Sequence, residues 1–330
     1  MFSDPGPGGE FPVRLDIIPG KYAAHVHLHD VKSRRRKVAC WTYVTDGLAA
    51  RGQKEIVLTL SREDDENPSD FPRAPLKFFS HLYQFAESGR AVDSGDITQF
   101  EGGGFLGRSG IVYADAPPLN GVDLPEHALT AILLTDDELK AVHEFGATRV
   151  LARMGKTDKH YPFPPWSDRT RPSLDLSATL EQSVLAQIDR QRIPGLRVRV
   201  EGNRIVASVA ADGVQELLAA VARAPVSVPL AMPTELDPVA DGCLVWEPGH
   251  LEPTVAAPPG SRQTRLSGCF LALIPDQQED CGEIVEDGMV VSFTDSSWLA
   301  VKGALETQAP ITIPASRGTL HFTFSWRQIL

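Results

Sequence analysis

With 330 residues and 42% hydrophobic side chains, the chain can build one large or two medium domains around a sizeable core. Its 32 Lys and Arg against 43 Asp and Glu give a formal charge of -11, which excludes broad binding to nucleic acid or an anionic membrane and favours a protein partner with a basic surface. No signal-peptide pattern opens the sequence and no apolar run reaches the length of a membrane span, so a cytoplasmic protein without membrane insertion is expected.

Residues 1–10, rich in Gly and Pro, read as a disordered lead-in. The stretch 11–30 alternates as one or two strands. In it His25, His27 and His29 share one face while Val26 and Leu28 point to the other. Such a face can bind a divalent metal through neutral imidazoles, or it can be the polar side of a half-buried strand. The basic run 32–37, KSRRRK, is a solvated hairpin loop or a contact for an acidic segment or a phosphate. Residues 40–60, CWTYVTDGLAARGQKEIVLTL, hold two strand runs around candidate turn glycines Gly47 and Gly52, in the manner of a wide hairpin. Alternation puts Ile56, Leu58 and Leu60 on one face and Val57 and Thr59 on the other. An acidic loop leads to a helix over 72–89, with Ser69 or Asp70 as cap, Pro72 in the first turn, Gly89 at the exit and Leu76, Phe79, Tyr83 and Ala86 facing the sheet. The glycines of 101–110 lead into another strand and no G-K-[ST] follows, so they read as a connection rather than a phosphate cradle. A strand at 128–134 runs into one helix with a capping box at Thr135 and Glu138, an apolar stripe from Leu139 to Met154, and a stop at Gly155. The proline-rich segment 161–172, YPFPPWSDRTRP, either lies on the protein's own surface or enters a partner groove.

A second unit begins near residue 173. It comprises an amphipathic helix over 177–191, a hairpin turning at Gly202 and Asn203, a helix over 213–224 and short strands in VSVPLAM and CLVWEP. Strands at 268–274 and 289–294, a helix over 295–305 and a final strand pair close the chain. RIVASVAADGVQELLAAV and GMVVSFTDSSWLAVKGAL are weakly alike, each a strand, a cap and a helix. The expected fold is α+β, with mixed, largely antiparallel sheets, helices packed on one face, and two related halves divided as 11–172 and 173–330.

The block W-x-Y-x-[ST]-x-G-L…G-x-x-E-[IL]-x-x-x-L, here Trp41, Tyr43, Thr45, Gly47, Leu48, Gly52, Glu55, Ile56 and Leu60, resembles the C-terminal domain of the Smad anchor for receptor activation and endofin, and more distantly the suppressor-of-fused domain. Three later blocks extend the resemblance: RVLARMG with YPFPPWSDRTRP, GCFLALI, and EIVEDGMVVSFT. No zinc-binding FYVE module precedes them, so the resemblance implies neither endosomal targeting nor receptor binding. It does imply a non-enzymatic scaffold or adaptor domain. An inhibitor resembling the toxin-immunity versions of suppressor-of-fused domains is a specific form of this.

The residues agree with a binding protein that needs no cofactor, since nucleophile elbow, P-loop, dinucleotide fingerprint and zinc spacing do not occur. The four cysteines form no C-x-x-C and read as buried thiols of a reducing compartment. Tyr161, Phe163, Trp166, Arg169 and Arg171 are the candidate partner-binding residues, because Trp and Arg dominate interface hot spots. The competing reading is a metal-dependent enzyme using His25, His27 and His29. A third is a ligand-binding scaffold using the glycine-rich loop.

Overall fold

The computed structural model describes residues 11–32, 37–102, 104–176, 182–223, 228–248, 250, 252–316 and 321–327. The expected lead-in 1–10, most of the basic run 32–37 and residues 177–181 lie outside the described residues. The chain divides into two compact units, Met1–Lys140 with Pro164–Ser173, and Ala141–Phe163 with Leu174–Leu330. Both are α+β, and among the described residues no helix is long and apolar enough to cross a membrane.

The first unit holds a seven-stranded sheet in the order β1-β2-β3-β4-β7-β6-β5. Its strands are β1 (Val13–Ile18), β2 (Tyr22–Lys32), β3 (Lys37–Asp46), β4 (Ile56–Ser61), β5 (Ile97–Gln99), β6 (Gly110–Asp115) and β7 (Leu129–Leu134). The wide hairpin forms as its alternation requires, β3 and β4 pairing antiparallel from Cys40 opposite Ser61 to Val44 opposite Val57. Ile56, Leu58 and Leu60 join Trp41 and Tyr43 in the core beneath α1 (Ala74–Glu87), while Val57 packs on the other face with Leu119, Val122 and Ala128. Both faces of β4 are therefore covered, which is why it reads as a nearly continuous apolar run. The stripe Leu76, Phe79, Tyr83 and Ala86 is buried. The helix starts later than its sequence signals indicate, and neither Ser69 nor Asp70 caps it: the N-cap position is Arg73, without a side-chain cap, and Pro75 occupies the first turn. The Trp41 indole N–H donates to the Pro68 carbonyl (3.1 Å) and the Tyr43 hydroxyl to that of Pro72 (2.7 Å), which holds the chain off the helix until Arg73.

Strand β7 lies parallel to β4 over two residue pairs only, Ile56 with Leu129 and Val57 with Thr130. Beyond them Ser167 fills the gap. Its N–H donates to the Thr59 carbonyl (2.8 Å), its carbonyl accepts from Ser61 N–H (3.0 Å), and its hydroxyl oxygen accepts from Leu133 N–H (3.0 Å). One arm of the capping box after β7 is present, Thr135 N–H donating to the Glu138 carboxylate (3.0 Å). The single helix expected from there to Gly155 is instead two, α2 (Asp136–Phe145) and α3 (Ala147–Asp158), broken at Gly146. Gly146 has φ +88°, a conformation glycine adopts without the steric cost other residues meet. Gly155 lies inside α3, which ends on Lys159 in the left-handed region.

The second unit carries two sheets. One has the order β10-β14-β16-β15, with β10 (Leu230–Pro233), β14 (Phe270–Ile274), β15 (Cys281–Val285) and β16 (Gly288–Ser292). The other has the order β12-β11-β13-β8-β9-β18-β17, built from β8 (Arg197–Glu201), β9 (Arg204–Ala210), β11 (Gly242–Val245), β12 (Thr254–Ala256), β13 (Arg265–Ser267), β17 (Ile311–Ile313) and β18 (His321–Arg327). The described pairings are mostly antiparallel; β4 with β7, β11 with β13, β14 with β16 and β9 with β18 are parallel. The Gly202-Asn203 hairpin forms, with Gly202 at φ +60°. The two similar segments fold as β9 followed by α4 (Val214–Arg223) and β16 followed by α5 (Asp295–Thr307), in different sheets. The helix expected over 177–191 ends early in its described part: Gln182 is helical and Ser183 is not. Val184–Gln187 is a short 3-10 turn, and Ile188 is extended. Ser183 fixes this: its hydroxyl accepts from Leu185 N–H (3.2 Å) and from the Arg149 guanidinium (2.8 Å) and donates to Glu286 (2.7 Å).

Gly288 opens β16 against the ring of Phe270, where a Cβ would fall well inside contact distance. Gly288→Ala is expected to destabilise the protein by about 2–3 kcal/mol through overpacking. A urea titration checks this, with the midpoint lowered and the slope unchanged.

Candidate partner-binding site

The block at 40–60 is held together by one carboxylate. Glu55, 8% exposed, accepts from the Thr45 hydroxyl (2.6 Å) and from the N–H groups of Gly47 (3.0 Å) and Ala49 (2.9 Å). Thr45 in turn accepts from Ile56 N–H (2.7 Å), tying the two strands of the hairpin across their loop. Gly47 is required here, since at φ +119° its backbone lies against the Lys21 carbonyl, where a side chain would collide. The motif residues Thr45, Gly47 and Glu55 are thus one structural device.

Above this loop is an open pocket of about 570 Å³ in the first unit. Buried Val44, Thr45 and Glu55 form its floor. His25, His27, Leu124 and Pro125 line its walls, and the exposed Asp46 and Asp123 stand at its rim. Asp46 pairs with Arg14 (2.9 Å) and lies 3.5 Å from the His25 ring. The hydrogen bond from Arg14 holds the Asp46 carboxyl below the usual carboxylate range.

The three histidines do share one strand face, as their spacing predicts, but they have separate partners. His25 goes to Asp46, and His29 Nε2 to the Thr42 hydroxyl (2.7 Å), which continues to Thr59 (2.8 Å). Burial, reinforced by His25 and His29, lowers the His27 pKa; burial also lowers that of His29. Same-face positions on a strand are roughly 6.6 Å apart along its axis, whereas one ion needs its imidazoles within about 2 Å. Among the described residues no group of three or more His, Cys, Asp or Glu is placed to hold a metal ion.

The proline-rich segment is engaged by the protein's own packing. Tyr161 is half-buried in the second unit and donates its hydroxyl to the Asp237 carbonyl (2.7 Å); Phe163 is 2% exposed. In the first unit Trp166 packs with Val31, Val38 and Cys40. Arg169 lies over the Trp41 ring and pairs with Glu66 (2.5 Å). Arg171 forks onto the fully buried Glu138, and the Arg108 guanidinium donates to the carbonyls of Asp168 (3.0 Å) and Arg171 (2.8 Å). The apolar anchors expected to reach a partner are therefore interior side chains. Prolines keep this segment extended, and an extended strand with an unpaired edge finds its hydrogen bonds in the gap between β4 and β7.

The later sequence blocks meet in the second unit at a buried ion cluster. Arg149 of RVLARMG donates to Asp287 from Nε (2.8 Å) and Nη2 (2.5 Å), and to Glu286 (3.0 Å), both carboxylates belonging to EIVEDGMVVSFT. Cys269 of GCFLALI donates its N–H to the Asp287 carbonyl (2.7 Å). Rings of Trp246 (5.0 Å) and Phe145 (5.2 Å) flank the guanidinium. Burial is the largest single influence and opposes its charge, but Asp287, Cys269 and Glu286 together outweigh it and raise the Arg149 pKa above that of an arginine in water. Sequence reasoning did not single out Arg149, Asp287, Asp46 or Asp123. The first three sat inside quoted blocks, but a pairing such as that of Arg149 with Asp287 across 138 positions leaves no local signal.

Among solved structures, Drosophila Suppressor of Fused is similar at 11% identity over 96% of this chain and 90% of that one, with a TM-score of 0.36. A chain of the Sufu–Fu complex is similar at 15% identity over 46% of this chain and 77% of that one, with a TM-score of 0.37. No curated protein matches. A family model described as Smad anchor for receptor activation-like, C-terminal, matches residues 124–321; this span includes the three later blocks and begins after the Trp41 block. The match covers more than half of the sequence, and the chain belongs to the Smad anchor for receptor activation-like C-terminal family.

Proposed function

We propose that this chain is a non-catalytic protein-binding domain, acting as a scaffold or adaptor, and that its docking surface is the pocket of the first unit. The observation that carries the reading is a contrast in how charge is used. The interior carboxylates Glu55, Glu138 and Asp287 are each tied to donors that hold the fold, whereas the exposed Asp123, and Asp46 with its surface partner Arg14, stand at the rim of an open pocket whose walls mix histidine with apolar side chains. A polar rim around a partly apolar interior is the usual anatomy of a recognition site. Family membership supports the reading, as does an acidic chain suited to a basic partner surface. Three of the four free cysteines are buried, which fits a reducing compartment such as the cytoplasm.

The test is affinity capture with the full chain, followed by titration of the purified partner by calorimetry. Leu124→Lys, which puts a positive charge on the wall of this acidic pocket, is expected to weaken the binding of a basic partner surface by at least tenfold, with circular dichroism confirming that the variant is folded. Undiminished binding by that variant moves the dock elsewhere, and the lack of any stoichiometric protein partner removes the reading.

A further inference from the structure

We infer that the pocket of the first unit is a subsite for a cationic side chain, an arginine or lysine presented by an extended segment of the partner. The inference rests on the partner-binding reading above and adds the chemistry that the pocket selects. Three carboxylates line the pocket, those of Asp46, Glu55 and Asp123. Glu55 sits deepest. Its donors are two backbone N–H groups and a hydroxyl, all neutral, so its negative charge is solvated by the loop without being cancelled. Asp46 is matched by Arg14 at the edge of the sheet. Asp123 is exposed, and its charge acts on the His27 ring, which burial keeps neutral. The lining therefore carries more negative than positive charge.

The walls suit the rest of such a side chain. Val44, Leu124 and Pro125 offer apolar surface along which the methylene stem of Lys or Arg can lie while its head reaches the carboxylates. A volume of about 570 Å³ accommodates one long side chain with bridging water. A metal ion is the wrong occupant, since no described group of three or more acidic, His or Cys side chains converges on a point. An anion is disfavoured by the same three carboxylates.

The experiment uses the full chain and three blocked amino acids as probes: N-acetyl-arginine methylamide, its lysine counterpart and its norleucine counterpart, which keeps an apolar stem without charge. Binding is followed through the imidazole NMR signals of His25 and His27. The arginine or lysine probe is expected to shift both signals and to bind about tenfold more tightly than norleucine, with the advantage shrinking at high salt. Asp123→Asn, a near-isosteric change at an exposed position, is expected to reduce that advantage by about fivefold. Equal binding of norleucine and the charged probes overturns the inference, as does an Asp123→Asn variant that behaves as wild type. Neither result touches the partner-binding reading, which stands or falls on the capture and on Leu124→Lys.

Discussion

Glu55→Ala is expected to destabilise the first unit by about 3–5 kcal/mol. The carboxylate accepts three hydrogen bonds at 2.6–3.0 Å in a site that is 8% exposed. Hydrogen bonds to a charged group contribute about 1.5–3 kcal/mol each, and removing the acceptor leaves buried donors unsatisfied. The three share one geometry, so their losses do not add in full. Glu55→Gln should cost less, about 1–2 kcal/mol. Its carbonyl oxygen can still accept from Gly47 and Ala49, while its amide faces Thr45, whose hydroxyl can rotate to accept. Amide hydrogen exchange across β3 and β4 is the suitable measurement, because it reads this unit separately from the other. The alanine variant should lose protection there well before the glutamine variant does. Equal protection in the two would mean that charge and acceptor count do not hold the loop.

Elements dominated by local pattern were legible in the sequence. The β3–β4 hairpin, the α1 stripe, the Glu138 arm of the capping box at Thr135 and the Gly202-Asn203 hairpin each follow from spacing and turn chemistry, and each forms. Failures occurred where a distant residue intervened. Helix α1 starts late because Trp41 and Tyr43 hold the preceding carbonyls, and the turn at Val184 replaces a longer helix because Ser183 is claimed by Arg149 and Glu286. Gly146 carried a usable signal, a lone glycine in a helical stripe, and its left-handed backbone does break the helix. Strand β15 was not read at all. Its short, half-exposed sequence has little apolar alternation, and its existence depends on pairing with β16.

The candidate site was half legible for the same reason. The face shared by His25, His27 and His29 follows from a period of two, but their partners do not, since Asp46 and Asp123 come from other segments. The aromatic and arginine residues of 161–172 read from sequence either as partner anchors or as side chains packed on the protein's own sheet, and in the structure Phe163 and Trp166 are buried. Composition alone does not distinguish a partner's groove from the chain's own sheet, and the gap between β4 and β7 that Ser167 occupies is invisible until the strands are laid side by side.

Asp287→Ala is the second large effect, expected to cost about 3–5 kcal/mol in the second unit. Removing one partner of a buried pair leaves the other charge uncompensated in a medium that solvates it poorly. Arg149 would retain only Glu286 and Ser183, having lost the carboxylate that takes both Nε and Nη2. Arg149→Met is expected to be as damaging, because it leaves Asp287 and Glu286 adjacent with no cation between them. Arg149→Lys should also fail to restore stability, since an ammonium cannot make the parallel contacts of the guanidinium fork. The informative variant is the double replacement, Arg149→Met with Asp287→Leu. The site is lined by Phe145, Trp246 and Phe270, so an apolar pair can fill it. The double variant should therefore be more stable than either single one, with a coupling of about 1–3 kcal/mol measured by urea unfolding. Such a result would separate two roles of the ion pair. Its net contribution to stability would be small, while its geometry would still fix how α3, the Ser183 turn and the β15–β16 connection register against one another. Additive losses in the double variant would refute that account, for they would mean that each side chain stabilises the unit through contacts the other does not share.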